Sequence, residues 1–285
     1  MPAANYICLD GEFLRNHEPV LHASNRGFRF NDALTESIHA NATDPQFLDL
    51  HIERLIDNMR ALSMYVPPFF SETNFEKLIT GLLNKNRIFG GAHIRLTVFR
   101  NSGESYIPVG NEVSFLIDCA PLNTDRYELN EKGLSIGISK NFLRNTGSLA
   151  NLHRANITVF IRAAMEGRES GHDAVILLNK EGRLTETTDS NLFLVSGNSI
   201  FTPGLDQGCI PGVMRRVIIE CAIKSGYRVN EQSSLTPSAL LDAGEIFLTN
   251  AIEGIRWVGG YRENRYFSKT SRLLSGLLNS MAFGQ

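Results

Sequence analysis

Apolar and polar residues along this chain alternate with two periods, near two and near four, and their order predicts an α+β protein. Tyr6-Ile-Cys-Leu-Asp-Gly11-Glu-Phe-Leu14 reads as two short strands about an Asp-Gly turn, a hairpin signal. A loop follows through Glu18-Pro19. The stripe Leu50, Leu55, Met59, Leu62 and Ser63-Met64 predicts a helix over 51–64, and Thr73-Asn-Phe-Glu76 reads as a capping box opening a second helix that runs to about Lys85. Strands are expected at 92–100 and 112–119. Residues 120–130 are polar, contain proline and lack periodicity, which suits a linker. Beyond it the pattern predicts a strand at 133–140, a Gly/Ser/Asn loop, a helix at about 154–168 and a strand at 173–178. An apolar, strand-like segment then runs from Leu192 to Ile200, strongest at 192–195. A helix opens at Gly212 and continues through Val217-Ile218-Ile219, followed by a short helix at 237–242, a strand at 245–249 and a closing helix at 270–278. The organisation expected is a smaller α+β domain at 1–119, the linker, and a larger α+β domain at 131–285.

Composition narrows the function classes. With 285 residues, 42% hydrophobic and 20% charged, the chain matches ordinary globular proteins of two domains or one large one. A formal charge of -2 supplies no basic field, so nucleic acid is not an expected partner. No apolar run approaches a membrane span, and Met-Pro-Ala-Ala-Asn-Tyr does not read as a signal peptide. Cys8, Cys119, Cys209 and Cys221 are scattered, which points to a reducing, cytoplasmic setting and away from structural zinc. No Walker loop, Gly-x-Gly-x-x-Gly or His-Glu-x-x-His occurs, and no metal is expected.

The stretch richest in chemistry is 201–216. Thr202-Pro203-Gly204 turns the chain and Gly212 opens a helix, leaving the N–H groups of Val213 and Met214 free at its positive end. Such a terminus seats phosphate.

Four ordered motifs extend this reading: Asn25-Arg-Gly-Phe-Arg-Phe30-Asn-Asp32, His51-x-x-Arg54-Leu55, Leu184-Thr-Glu186-x-x-x-x-Asn191-Leu-Phe193 and Gly212-Val-Met-Arg215. Together they resemble the class IV aminotransferases, pyridoxal-phosphate proteins of fold type IV that include branched-chain and D-amino-acid aminotransferases and 4-amino-4-deoxychorismate lyase. The run from Thr202 to Arg215 and Thr249-Asn-Ala251 is most similar to the lyase branch. The resemblance implies a two-domain α+β fold and a homodimer acting on a small amino compound. It implies that Arg54, Val213, Met214, Asn250 and Ala251 contact the cofactor phosphate, and that Glu186 holds the ring nitrogen protonated. Arg95 and Arg100 are candidates for a substrate carboxylate. Their odd spacing on one strand sends them to opposite faces, so at most one is expected to face the pocket.

The family's chemistry depends on a lysine in a Lys-x-x-Asn pattern upstream of the glutamate. Here the matching stretch is Leu149-Ala-Asn-Leu-His153-Arg-Ala-Asn156. Asn156 falls on the family's asparagine, and His153 stands at the lysine position. A register placing Asn151 there also lacks an amine, and Lys140 reaches it only through a rearranged loop. An imidazole cannot form the stable imine of a primary amine, although it can move a proton near neutrality. The first domain departs as well. Where the family reads Phe-Gly-Asp-Gly-aliphatic-aromatic-Glu, this chain reads Phe30-Asn31-Asp32-Ala33-Leu34-Thr35-Glu36, so two glycines carry side chains and Thr35 replaces an aromatic pocket wall. His39 stands where many relatives carry an arginine or another polar residue. Two functions are therefore expected as alternatives. One is a pyridoxal-phosphate lyase or aminotransferase, for example one releasing pyruvate to leave 4-aminobenzoate for folate synthesis, with His153 as proton shuttle and the cofactor held non-covalently. The other is a non-catalytic homologue acting as a binding or regulatory module.

Overall fold

The computed structural model describes residues 5–101 and 103–284. The first four residues, read above for a leader, lie outside them. The chain forms two compact units, Met1–Arg126 with His153–Asn156, and Tyr127–Leu152 with Ile157–Gln285. The changeover at Arg126/Tyr127 falls inside the stretch expected to be a linker. Four residues from the middle of the chain, His153–Asn156, belong with the first unit.

In the first unit the Asp-Gly hairpin forms as expected. Strands β1 (Tyr6–Leu9) and β2 (Glu12–Arg15) pair antiparallel about Asp10 and Gly11, whose φ values of 50° and 94° are the left-handed pair such a turn demands. A short helix α1 (Arg26–Phe30) is capped by the Asn25 side chain, which accepts the Phe28 N–H at 3.1 Å. It ends on Asn31 at φ 54°. Asparagine tolerates this left-handed conformation better than most side chains, so the lost glycine is accommodated there. Strand β3 (Ala33–Asn41) follows, then β4 (Asp44–Pro45), α2 (Leu48–Ala61), α3 (Glu72–Asn86), β5 (Ala92–Arg100) and β6 (Val113–Pro121). The helix expected at 51–64 begins and ends three residues earlier, and its buried face is Leu48, His51, Ile52, Leu55, Asn58 and Met59. The cap of α3 is Ser71, accepting the Asn74 N–H, rather than Thr73. All six strands form one antiparallel sheet in the order β2-β1-β6-β5-β3-β4. Helices α2 and α3 cover one face, and Leu34, Ile38, Leu55, Met59, Phe75, Ile79, Ile94 and Leu96 fill the layer between them.

The second unit contains β7 (Leu134–Arg144), α4 (Thr158–Glu169), β8 (Ala174–Asn179), β9 (Leu184–Thr187), β10 (Asn191–Ser196) and β11 (Ser199–Pro203). These lead into α5 (Val213–Lys224), β12 (Arg228–Ser233), α6 (Ser238–Asp242), β13 (Glu245–Asn250), β14 (Gly254–Tyr261), β15 (Asn264–Arg265) and α7 (Lys269–Phe283). The helix expected from 154 starts four residues later, at Thr158. The apolar segment 192–200 is two strands, because Gly197 at φ 56° turns the chain between them. The path β10-β13-β14-β7-β8-β9 closes on itself where Glu186 of β9 lies opposite Asn191 of β10. Inside it pack Ile136, Ile176, Leu184, Leu192, Ile246, Leu248 and Val258.

Candidate active site

In the first unit, β3 carries Glu36 with no exposed surface. A fully buried carboxylate needs charged partners. The motif His51-x-x-Arg54 supplies them, because residues three apart on a helix share a face and α2 packs on β3. His51 Nδ1–H donates to Glu36 Oε2 at 2.7 Å, and Arg54 donates from Nε to Oε1 at 3.0 Å and from Nη2 to Oε2. Burial raises the Glu36 pKa, but Arg54 and His51 outweigh it and hold the group at about 2.

The returning segment runs beside β3 as a short antiparallel addition. Thr35 N–H donates to the His153 carbonyl at 3.1 Å and Ala155 N–H to the Ala33 carbonyl at 3.0 Å, with Leu34 bridging Arg154. The His153 ring nitrogen Nδ1 meets the Thr35 carbonyl. A carbonyl only accepts, so Nδ1 carries the proton and Nε2 keeps its lone pair. Burial first, then the Arg54 charge, lowers the His153 pKa to about 4, so the ring is neutral at pH 7. The structure thus brings His153, Thr35 and Arg54 into one cluster. It separates Arg95, exposed and paired to Asp118 at 2.9 Å, from Arg100, buried and bonded to Asp32 at 3.0 Å, Asn111 at 2.5 Å and the Leu62 carbonyl at 2.8 Å. His39 is buried on β3 with Nε2 facing the Asp125 carbonyl, and Asn156 is exposed.

In the second unit, Glu186 is 3% exposed. Its Oε2 accepts the Ile210 N–H at 3.0 Å. Its Oε1 lies 2.9 Å from Arg144 Nε as a charge contact, yet has no aligned hydrogen bond among the described residues. Burial raises its pKa to about 7, with Arg144 and the Ile210 N–H pulling the other way. Asn191 Nδ2 donates to the Ile210 carbonyl at 2.8 Å, so the β9–β10 junction grips the turn that opens α5. Gly212 caps α5 without a side chain, and a Cβ built on it would overlap Asn191 Oδ1. The opening N–H groups, those of Val213 and Met214, therefore stand at a helix end that no side chain caps. Asn250 ends β13, its side-chain Nδ2 donating to Ser190 Oγ at 3.1 Å and its side-chain Oδ1 accepting the Ile252 and Glu253 N–H groups, with Ala251 in the turn.

Pyridoxal phosphate, the cofactor implied by the motif resemblance, can be tested against these groups. A pyridinium N–H needs a buried carboxylate oxygen with an open lone pair, and Glu186 Oε1 is one. A dianionic phosphate needs uncapped N–H groups against a small residue, and the Gly212 turn provides them. The donor set of the second unit fits ring nitrogen and phosphate.

Fold and site define a fold type IV protein of mixed α+β architecture. The amino-transferase class IV family matches residues 33–260, and the chain belongs to that family. It is 28% identical over 276 residues to an aminodeoxychorismate lyase from Vibrio harveyi, covering 93% of this chain and 97% of that one. It is 27% identical over 277 residues to the aminodeoxychorismate lyase of Bacillus subtilis, covering 95% and 92%. Among solved structures, the branched-chain amino acid aminotransferase from Thermobaculum terrenum in its PLP form superposes with a TM-score of 0.86 at 19% identity, covering 100% of this chain and 95% of that one.

Sequence reasoning assigned no role to Glu36, His51, Ile210 or Arg144. Glu36 and His51 were visible inside the motifs as charged or polar positions on otherwise apolar faces. Arg144 carried one faint signal, an arginine ending an apolar strand.

Proposed function

We propose that this protein holds pyridoxal phosphate without a covalent bond and uses His153 as a neutral base on a small amino compound of the aminodeoxychorismate type. The observation that carries the reading is the buried Glu186, whose Oε1 meets only the Arg144 Nε among the described residues, in a unit that also carries the uncapped helix terminus at Gly212. Val213 and Met214 N–H groups, with Asn250 and Ala251, would hold the phosphate; Arg54, which the motif resemblance also assigns to it, donates to Glu36 in the first unit. Glu186 would keep the ring nitrogen charged. When bound, the cofactor supplies an electron sink for carbanion chemistry. His153 would take or return a proton at Nε2, since its other nitrogen is committed to the Thr35 carbonyl. The balanced reaction is elimination of pyruvate from 4-amino-4-deoxychorismate to leave 4-aminobenzoate. The shared family and the two lyase relatives support this substrate class, and a homodimer in the cytoplasm is part of the same reading.

A second reading rests on His153 itself. A base with a pKa near 4 is a weak proton acceptor, and this favours a non-catalytic binding or regulatory module that keeps the fold and the phosphate seat.

One set of measurements separates them. The purified protein is mixed with pyridoxal phosphate, scanned for visible absorbance, gel-filtered and treated with borohydride, then assayed for 4-aminobenzoate and pyruvate. Reversible binding, no borohydride-fixed adduct and slow product formation meet the proposal. A fixed adduct refutes the tether-free reading, and binding without product selects the module. Loss of all binding refutes the cofactor reading.

A further inference from the structure

We propose that Arg144 is a positioning residue that aims the Glu186 carboxylate and fastens it to the turn opening α5. The proposal rests on the reading of Glu186 as partner to a ligand's ring nitrogen. Arg144 is the last residue of β7 and is 9% exposed. Its Nη2 donates to the Ala150 carbonyl at 2.7 Å and to the Gly208 carbonyl at 2.8 Å. The guanidinium carbon stands 4.7 Å from the centre of the Phe160 ring, a cation–π contact. These three contacts orient the guanidinium, and its Nε is left against Glu186 Oε1 at 2.9 Å.

The form of that last contact matters. A fork of two parallel N–H donors would occupy both carboxylate oxygens. Here a single Nε stands 2.9 Å from Oε1, and an oxygen with two lone pairs can still take a further donor. Arg144 also joins two loops. Through Gly208 it grips the segment that leads to Gly212, and Asn151 reinforces the link by donating to the Leu205 and Cys209 carbonyls at 2.8 and 2.6 Å. Ring-nitrogen partner and phosphate turn are thereby fixed to one side chain.

The charge balance around Glu186 shows what removing Arg144 would do. Cys209 also interacts with Glu186, but burial pushes its thiol up to about 12 and leaves it neutral, against the lowering charges of Arg215 and Arg144. Arg144 is the cation in direct contact with the carboxylate. Burial already brings Glu186 to about 7 with Arg144 present. Without that charge, a neutral acid is expected at pH 7, and a neutral acid cannot hold a ring nitrogen protonated.

The test uses Arg144→Met and Arg144→Lys, each with and without Glu186→Gln. In ligand-free protein carrying 13C-labelled glutamate, the Glu186 carboxyl is titrated by NMR, with Glu186→Gln assigning the signal. The Met variant should move the midpoint up by at least about one unit, a tenfold change in the ionisation equilibrium. The Lys variant should leave it near the parent's. Equilibrium dialysis with pyridoxal phosphate at pH 7 should show about fivefold weaker binding for Arg144→Met, because a midpoint moved from about 7 to about 8 cuts the ionised fraction at pH 7 about fivefold. In the Glu186→Gln background the same change should have little effect. An unmoved carboxyl midpoint overturns the proposal, as does an equal affinity loss in both backgrounds, which would mark a purely structural arginine. If the parent binds no pyridoxal phosphate, the cofactor reading fails, and the titration still decides the role of Arg144. If Arg144→Met does not fold, Arg144→Gln, neutral but able to donate to the carbonyls, carries the same predictions.

Discussion

Glu36→Gln is the sharpest test of the first unit. Glu36 accepts from His51 at 2.7 Å and from two nitrogens of Arg54 while having no exposed surface. The amide keeps the shape and one acceptor but removes the charge, so Arg54, 12% exposed, loses its counter-ion. Breaking one side of a buried pair costs about 3–5 kcal/mol. A second route gives a similar size. The carboxyl falls from 4.5 to about 2 on folding, and at 1.36 kcal/mol per unit this is about 3 kcal/mol. The folded value lies below the unfolded one. This contribution is therefore present above about pH 4.5 and is lost as pH falls toward 2. Urea unfolding at pH 7 should show the variant weaker by about 3 kcal/mol, and the gap should narrow between pH 4.5 and pH 2. A gap under about 1 kcal/mol at pH 7, the size expected of an exposed pair, would refute the argument. So would a gap that stays constant in acid.

Other outcomes follow from single features. Gly212→Ala should weaken binding of inorganic phosphate and destabilise the protein by about 1–3 kcal/mol, because the new methyl overlaps Asn191 Oδ1; unchanged phosphate affinity by calorimetry would remove the turn from the cradle. Nitrogen-15 NMR should show His153 as the Nδ1–H tautomer, neutral from pH 7 down to about pH 5, since its pKa lies near 4. A protonation midpoint at 6.5 or above would contradict its burial. The same depressed pKa means its stabilising contribution is present above 6.5 and lost as pH falls toward 4. Ser71→Ala should cost about 1 kcal/mol in thermal or urea unfolding through loss of the α3 cap, whereas Thr73→Ala should cost less. His153→Lys should generate a borohydride-trappable band with pyridoxal phosphate if the remaining groups still hold it.

Much of the architecture was legible because local chemistry dictated it. The Asp-Gly hairpin, the strand at 92–100 and the Gly212-led helix each follow from short-range rules, and all formed. What local patterns missed are elements whose meaning lies in their neighbours. Strand β3 was not expected, since Leu34-Thr35-Glu36-Ser37-Ile38 hides a buried carboxylate among its inward positions. Strand β9 is four residues long, too short to show a period, and is held by pairing with β8 before it and β10 after it. Helix α4 begins late because 153–155 hydrogen-bonds to β3, and extended pairing competes with helical bonding for the same backbone groups.

The amino-acid order alone determined the family, the absence of an amine at residue 153, and the glycine that opens α5. These depend on residue identity and spacing, which no packing can alter. Tertiary structure decided which nitrogen of His153 carries its proton, how Glu36 commits Arg54, and why Glu186 titrates near neutrality. Those properties arise from burial and from charges brought together across many residues of chain. A carboxylate's pKa is set by what surrounds it in space, and a linear sequence does not contain that distance.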